Sequence, residues 1–295
     1  MGVKLSWTNR GKEPLDAIRI YRSNTKTGAL TLIDTIDGAA LAYEDMSNPP
    51  SNTVLWYSVA TVKDGNETHG RRIPIGNFAD TGPGPKTIKI GDWEYGYFGE
   101  VTADIALLPT FSDIQTAGMS APNNNNVLPT IVRKWIIGGK IIYIPNAAYG
   151  YTAVANLLSL KVLKPFGDNT APILTVDKGD YGFKIRLPRS STVLDLGDAV
   201  PLNGDDTKLK SELCALVQCA AGVIDTTTEA NRFFKGSGRY SDDTYWTYSS
   251  PRIFTGWADA NNYYALSWSA WSTPAINANN TNNVMTNFIY ELDLS

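Results

Sequence analysis

Arg133-Lys-Trp-Ile-Ile-Gly-Gly-Lys-Ile-Ile-Tyr-Ile-Pro-Asn146 is the stretch on which the reading of the fold turns. Two short apolar runs, Trp135 to Ile137 and Ile141 to Ile144, flank Gly138-Gly139-Lys140. β-Branched and aromatic residues suit strands, and the Gly-Gly pair supplies the positive φ that a tight hairpin needs. Pro145 lacks an N–H for the ladder, so it ends the second strand. The runs are too apolar for an exposed ribbon. They predict a central hairpin, covered on both faces, in a large β-rich domain.

Working outward, 295 residues exceed what one ordinary domain needs, and two domains are expected. A hydrophobic share of 43% is enough to bury substantial cores. The net charge of −3 and the lack of a dense Lys/Arg cluster argue against nucleic acid as a partner. Aromatic, Gly, Asn, Thr and Ser residues are plentiful and long helical patterns few, which suits an all-β chain with many turns. No 18-residue apolar run exists, so no membrane insertion is expected. Met1-Gly2-Val3-Lys4-Leu5 offers no apolar leader. The strand alternation around Trp7 favours a structural reading over acylation of Gly2. Cys214 and Cys219 lie in a helix-like stretch, about 140° apart around its axis, and read as reduced, buried small residues. Asn66-Glu67-Thr68 then reads as a turn rather than a glycosylation site.

Residues 1–76 read as a small β-sandwich. Val3, Leu5 and Trp7 alternate, as do Ile18 and Ile20, then Leu30, Leu32 and Asp34. Val54 to Val62 is a longer strand, Asp64-Gly65 a type I′ turn, and Thr68 to Ile75 the returning strand. Leu5-Ser6-Trp7, Ile18-Arg-Ile-Tyr-Arg-Ser23, Tyr43-Glu44-Asp45 and Trp56-Tyr-Ser-Val-Ala-Thr-Val-Lys-Asp-Gly65 together resemble a fibronectin type III module. By that resemblance Trp7 is the core tryptophan of strand B, and Tyr57 stands where a tyrosine anchors strand F. In that family an A strand precedes the Leu-x-Trp strand, whereas only Met1 and Gly2 precede it here. Strand B is then expected to be an open edge, and Val3, Leu5 and Trp7 a candidate site for strand addition by another chain or by a later segment of this chain. A short edge that is simply tolerated is the competing reading.

Residues 77–86 contain two Gly-Pro pairs and read as an extended linker. Residues 87–295 read as a larger β-rich domain with one or two short helices. Candidate helices are Tyr151 to Leu163 and Leu209 to Gly222; strands are expected at Ile173 to Val176, Tyr181 to Leu187, Tyr264 to Ala270 and Asn287 to Leu294. Gly96-Tyr-Phe-Gly-Glu-Val101, Trp135 to Pro145, Tyr181-Gly-Phe-Lys-Ile-Arg-Leu-Pro188 and Phe288-Ile-Tyr-Glu-Leu292 look like C-terminal modules of tailed-bacteriophage virion proteins. Such modules occur on tail fibres, collars and decoration proteins, often after an immunoglobulin-like domain. The resemblance implies a virion location, assembly in the host cytoplasm, other virion proteins as partners, and a homo-oligomer.

The chemistry expected from the residues is slight. His69 is the single histidine, no Gly-x-Ser-x-Gly elbow occurs, and the cysteines are poorly spaced for zinc. Asp205-Asp206 and Asp242-Asp243 read as solvated turns, because neither fits a calcium loop. No catalytic residue, metal or cofactor is expected. Trp246, Trp257, Tyr263, Trp268 and Trp271, set among Asn and Asp, suggest ring platforms with amide partners, the chemistry that binds sugars. The alternative reading of these aromatics is β core. Tyr263 and Trp271 fall on the more polar face and, with Trp257 and Trp246, are the candidate contacts for a host-surface glycan. The expected function is a non-enzymatic virion structural protein. The alternative is a carbohydrate-binding or glycan-cleaving protein with a fibronectin-like accessory module.

Overall fold

The structure is a computed structural model that describes residues 2–8, 11, 14–118, 132–145, 174–186 and 288–294 with their side chains. For 151–153, 252–258, 263–267, 274–277 and 283–285 it describes backbone strands only. The chain is mainly β and all its strand pairs are antiparallel among the described residues. It divides into two compact units: Met1–Thr81 with Asp92–Glu94, and Gly82–Gly91 with Tyr95–Ser295. The division after Thr81 falls inside the Gly/Pro stretch 77–86.

The first unit contains β1 (Val3–Ser6), β2 (Ala17–Ser23), β3 (Thr31–Asp37), β4 (Ala42–Asp45), β5 (Thr53–Lys63), β6 (Asn66–His69) and β7 (Ile73–Asn77). β1 and β4 form a two-stranded sheet, and a second sheet runs β3-β2-β5-β6 with β7 also on β5. Period-two alternation turns Val3 and Leu5 inward, against Ile18, Ile20, Leu55 and Tyr57. The Asp64-Gly65 turn has φ of 48° and 73°, the left-handed pair that a type I′ hairpin requires. The returning stretch predicted as one strand is two. It breaks at 70–72, where Arg72 turns aside to donate to the carbonyls of Lys26 and Gly28 (2.8 and 2.6 Å). β4 escapes a reading by periodicity because it is four residues long and its one fully buried residue is the charged Asp45.

The second unit begins with β8 (Ile90–Gly91) and β9 (Tyr95–Val101). A 3-10 turn at Ile105–Leu107 and helix α1 (Phe111–Thr116) follow. Then come β10 (Val132–Ile137), β11 (Lys140–Pro145), β12 (Tyr151–Ala153), β13 (Leu174–Lys178) and β14 (Tyr181–Arg186). The remaining strands are β15 (Arg252–Ala258), β16 (Tyr263–Ser267), β17 (Pro274–Asn277), β18 (Asn283–Met285) and β19 (Ile289–Asp293). The main sheet runs β13-β14-β19-β11-β10-β9-β8. The predicted hairpin is β10–β11 in its middle, turning at Gly138 and Gly139 with φ of 56° and 79°. Both faces are covered, since Trp135 to Ile137 and Ile141 to Ile144 are all buried. The closing strand β19 is not a border strand: it inserts between β14 and β11.

Two expectations on helices change. Tyr151–Ala153 is a strand paired with β18, so the helix predicted from Tyr151 does not start there; 154–163 and 209–222 lie outside the described residues. α1 was not predicted. Its signal is Thr110-x-x-Asp113, a capping box in which Thr110 caps the Asp113 N–H and Asp113 caps the Thr110 N–H.

Charge inside the main sheet is fully partnered. Lys134 is buried on β10, and its ammonium donates to the carbonyls of Gly82 (3.1 Å) and Pro85 (2.9 Å) over the Phe98 ring. Tyr143 adds a bond to the Pro83 carbonyl, so this part of the Gly/Pro stretch is fastened to the sheet rather than free. Across three adjacent strands, Glu291 accepts from Lys140 (2.5 Å) and Arg186 (2.7 Å), and Lys184 pairs with Asp293 (2.7 Å). Burial by itself raises the Glu291 carboxyl. The Arg186 and Lys140 charges outweigh that and hold it at about 2, against an ordinary 4.5.

Two outcomes follow. A carboxyl depressed by folding stabilises fully above its unfolded value and progressively less as pH falls through its folded one. Stability of the main sheet therefore falls between pH 4.5 and about 2, by roughly 3 kcal/mol through this group. Amide exchange of β11 and β19 across that range reads the loss, and Glu291→Gln flattens the dependence while lowering stability at neutral pH. Lys134→Met leaves the Gly82 and Pro85 carbonyls without this donor and costs about 2 kcal/mol, seen as faster proteolysis within 82–86.

Candidate functional site

Val3, Leu5 and Trp7, predicted as a strand-addition edge, come together in the first unit. β1 pairs with β4 in the register Val3↔Asp45, Lys4↔Glu44, Leu5↔Tyr43 and Ser6↔Ala42. Trp7 extends this ladder, donating its backbone N–H to Leu41 (3.0 Å) while its indole N–H reaches the Ala40 carbonyl (3.0 Å). Hydrogen-bonded pairs alternate along an antiparallel ladder. Trp7, Leu5 and Val3 therefore aim their backbone groups at β4, and Lys4 and Ser6 aim theirs the other way. Among the described residues nothing pairs with that outer side of β1.

The borders of the second sheet are guarded. β3, at the border of the second sheet, has a bulge in its pairing with β2 and carries Asp34 and Asp37. β7 contains Pro74, and β6 is four residues long and largely exposed. Bulges, charges and prolines are the ordinary means of blocking edge-to-edge pairing. β1 has no proline or bulge, and its one charge, Lys4, lies on the outer face with Glu44 4.0 Å away. The inner faces differ too. A strand beside β1 would continue the apolar row Val3, Leu5, Trp7, whereas one beside the free side of β4 would meet Tyr43 and Asp45. The core beneath is also incompletely closed: Trp7, Leu15, Ile36, Val59, Ile73 and Ile75 pack against it only half-buried.

What holds β1–β4 over the second sheet is Asp45. It is wholly buried, and one carboxylate oxygen accepts from Tyr57 (2.7 Å, on β5) and Arg22 (2.7 Å, on β2). The other accepts the hydroxyl (2.6 Å) and backbone N–H (3.0 Å) of Ser47. Burial alone would raise the Asp45 carboxyl; the donors from Ser47, Tyr57 and Arg22 outweigh it and keep it below the ordinary value. Burial and the bond to Asp45 push the Tyr57 phenol well above its usual range. The Tyr57 singled out by resemblance thus has a concrete task, but its partner Asp45 was not identified as a site residue.

The remaining candidates separate. Trp257 lies in β15 and Tyr263 in β16, with side chains outside the described residues; Trp246 and Trp271 lie outside them altogether. His69 sits in an exposed cluster, its Nε2 3.3 Å from Glu67, which also accepts from Tyr21 and Arg19 (both 2.6 Å). No group of three or more His, Cys, Asp or Glu side chains able to hold a metal ion occurs among the described residues. Among the described residues no helix is long and apolar enough to cross a membrane. No protein-family model matches the chain, and comparisons with curated proteins and with solved structures give no match.

Removing a partner from a buried charge is costly because the remaining groups lose their solvation without compensation. Asp45→Ala is expected to destabilise the first unit by about 3 kcal/mol, and Tyr57→Phe by about 1 kcal/mol, measured by hydrogen exchange of β2 and β5 amides. The Asp45 contribution is fully present above the ordinary Asp value of 3.8 and is lost progressively as pH falls from there through its lower folded value.

Proposed function

We propose that this chain is a non-enzymatic structural protein of a tailed-phage virion, a decoration, collar or fibre component, that assembles by accepting an extended strand along β1. The observation that carries this reading is the outer side of β1: unguarded, directed by Lys4 and Ser6, and bordered by the apolar row Val3, Leu5, Trp7. Strand addition satisfies a row of backbone donors and acceptors and lets alternate side chains choose the partner. The stretches that resemble virion modules supply the biological setting. They include β9, the β10–β11 hairpin, β14 and β19, all in one heavily buried sheet. A sheet buried on both faces and laced with paired charge suits a rigid platform, and oligomerisation or host attachment is the task assigned to this larger unit.

The test is localisation on particles. Antibody against residues 91–295, used with immunogold on purified virions, is expected to label one capsid, collar or tail position. Protein found free in the lysate, with its epitope accessible and particles unlabelled, would remove the virion reading.

A further inference from the structure

We infer that the strand received by β1 is the β1 of a second copy of this chain, in an antiparallel register centred on Leu5. The inference rests on the strand-addition reading above and names its occupant. The groups on the side of β1 that no described residue pairs with belong to Lys4 and Ser6. In an antiparallel pair, residues that exchange two hydrogen bonds must both aim their groups across the gap. A two-fold axis through the Leu5 pair meets this condition. Lys4 of one protomer then faces Ser6 of its partner, and Ser6 faces the partner's Lys4, giving four N–H···O=C bonds from a strand of four residues.

The same register sorts the side chains. On the inner face Leu5 meets its own equivalent, and Val3 meets Trp7 in both directions, so a buried apolar row continues across the axis. Trp7, half-buried in one protomer, gains a cross-strand apolar neighbour. On the outer face the Lys4 side chain, 79% exposed, lies opposite a serine hydroxyl. Moving the axis by one residue, to Lys4, would set the two ammonium groups directly opposite each other, and like charges so placed are destabilising. The Leu5-centred register keeps all three apolar residues paired and the lysines apart. It joins two β1–β4 pairs into one four-stranded sheet and covers the outer side of β1 in each copy. The contact is small, so a weak, concentration-dependent dimer is the expected form of the isolated chain.

Sedimentation velocity of the full chain across a wide concentration range tests this with four substitutions at one exposed position. Ser6→Pro deletes an N–H that faces away from β4, so the β1–β4 ladder keeps its bonds; it should weaken dimerisation about tenfold or more, whereas Ser6→Ala should not. Ser6→Glu places a carboxylate opposite the partner's Lys4 and should tighten the dimer, and Ser6→Lys should loosen it. Unchanged melting of the Glu and Lys variants shows that folding is not the cause, and these two decide the matter even if the proline variant unfolds. A chain that is monomeric at every concentration overturns the inference. So does a dimer indifferent to the charge at position 6. If Ser6→Pro still abolishes attachment to particles while the charge variants have no effect, the edge takes a different strand: strand addition stands and the second copy falls. If Ser6→Pro folds and neither dimerisation nor attachment changes, both readings fail.

Discussion

One buried carboxylate holds the first unit's sheets to each other. Asp45 leaves the end of β4, turns the chain through Ser47, and receives Tyr57 from β5 and Arg22 from β2. The two-stranded sheet contributes only Val3 and Leu5 to the fully buried core, a small apolar area for holding a layer in place. A buried charge is costly by itself, and here four donors at short distance offset that cost. Because each donor comes from a fixed place, the junction also sets where β1–β4 sits. β1 is thereby held with its inner row on the core and its outer backbone facing away.

The second unit manages buried charge by the same rule in a different geometry. Lys140, Glu291 and Arg186 lie on neighbouring strands β11, β19 and β14, so one carboxylate serves two cations across the ladder. Lys134 has backbone carbonyls and ring faces instead. Its partners come from the Gly-Pro stretch, where proline removes backbone donors but leaves every carbonyl available. A segment that composition marks as a linker is therefore partly a ligand for the sheet's own lysine.

How much of this could be read in the sequence follows from the range of each signal. Alternation and paired glycines located β1, β2, the β10–β11 hairpin and β14, because those signals are local. β4 was carried only by resemblance, and the break between β6 and β7 lies beside Arg72, whose partners are carbonyls more than forty residues away. The central place of β19 is a long-range pairing that no local pattern encodes. At the candidate site, Val3, Leu5 and Trp7 were legible from period two. Asp45 was not, since an aspartate ending a four-residue strand looks like any turn residue until Tyr57 and Arg22 are folded against it. α1 was legible in principle from Thr110 and Asp113, but six residues are too few to show a helical period.

Strand addition at β1 depends on the direction of four backbone amides, those of Lys4, Leu5, Ser6 and Trp7. Residue-resolved hydrogen exchange of the full chain, dilute and assembled, addresses them directly. In the dilute chain the amides of Leu5 and Trp7, bonded to β4, should exchange slowly, and those of Lys4 and Ser6 quickly. On assembly the latter pair should slow by about tenfold or more, as newly bonded edge amides do, while Leu5 and Trp7 change little. Lys4 and Ser6 amides already protected in the dilute chain, or unchanged on assembly, would contradict the claim that β1 is where this protein receives another strand.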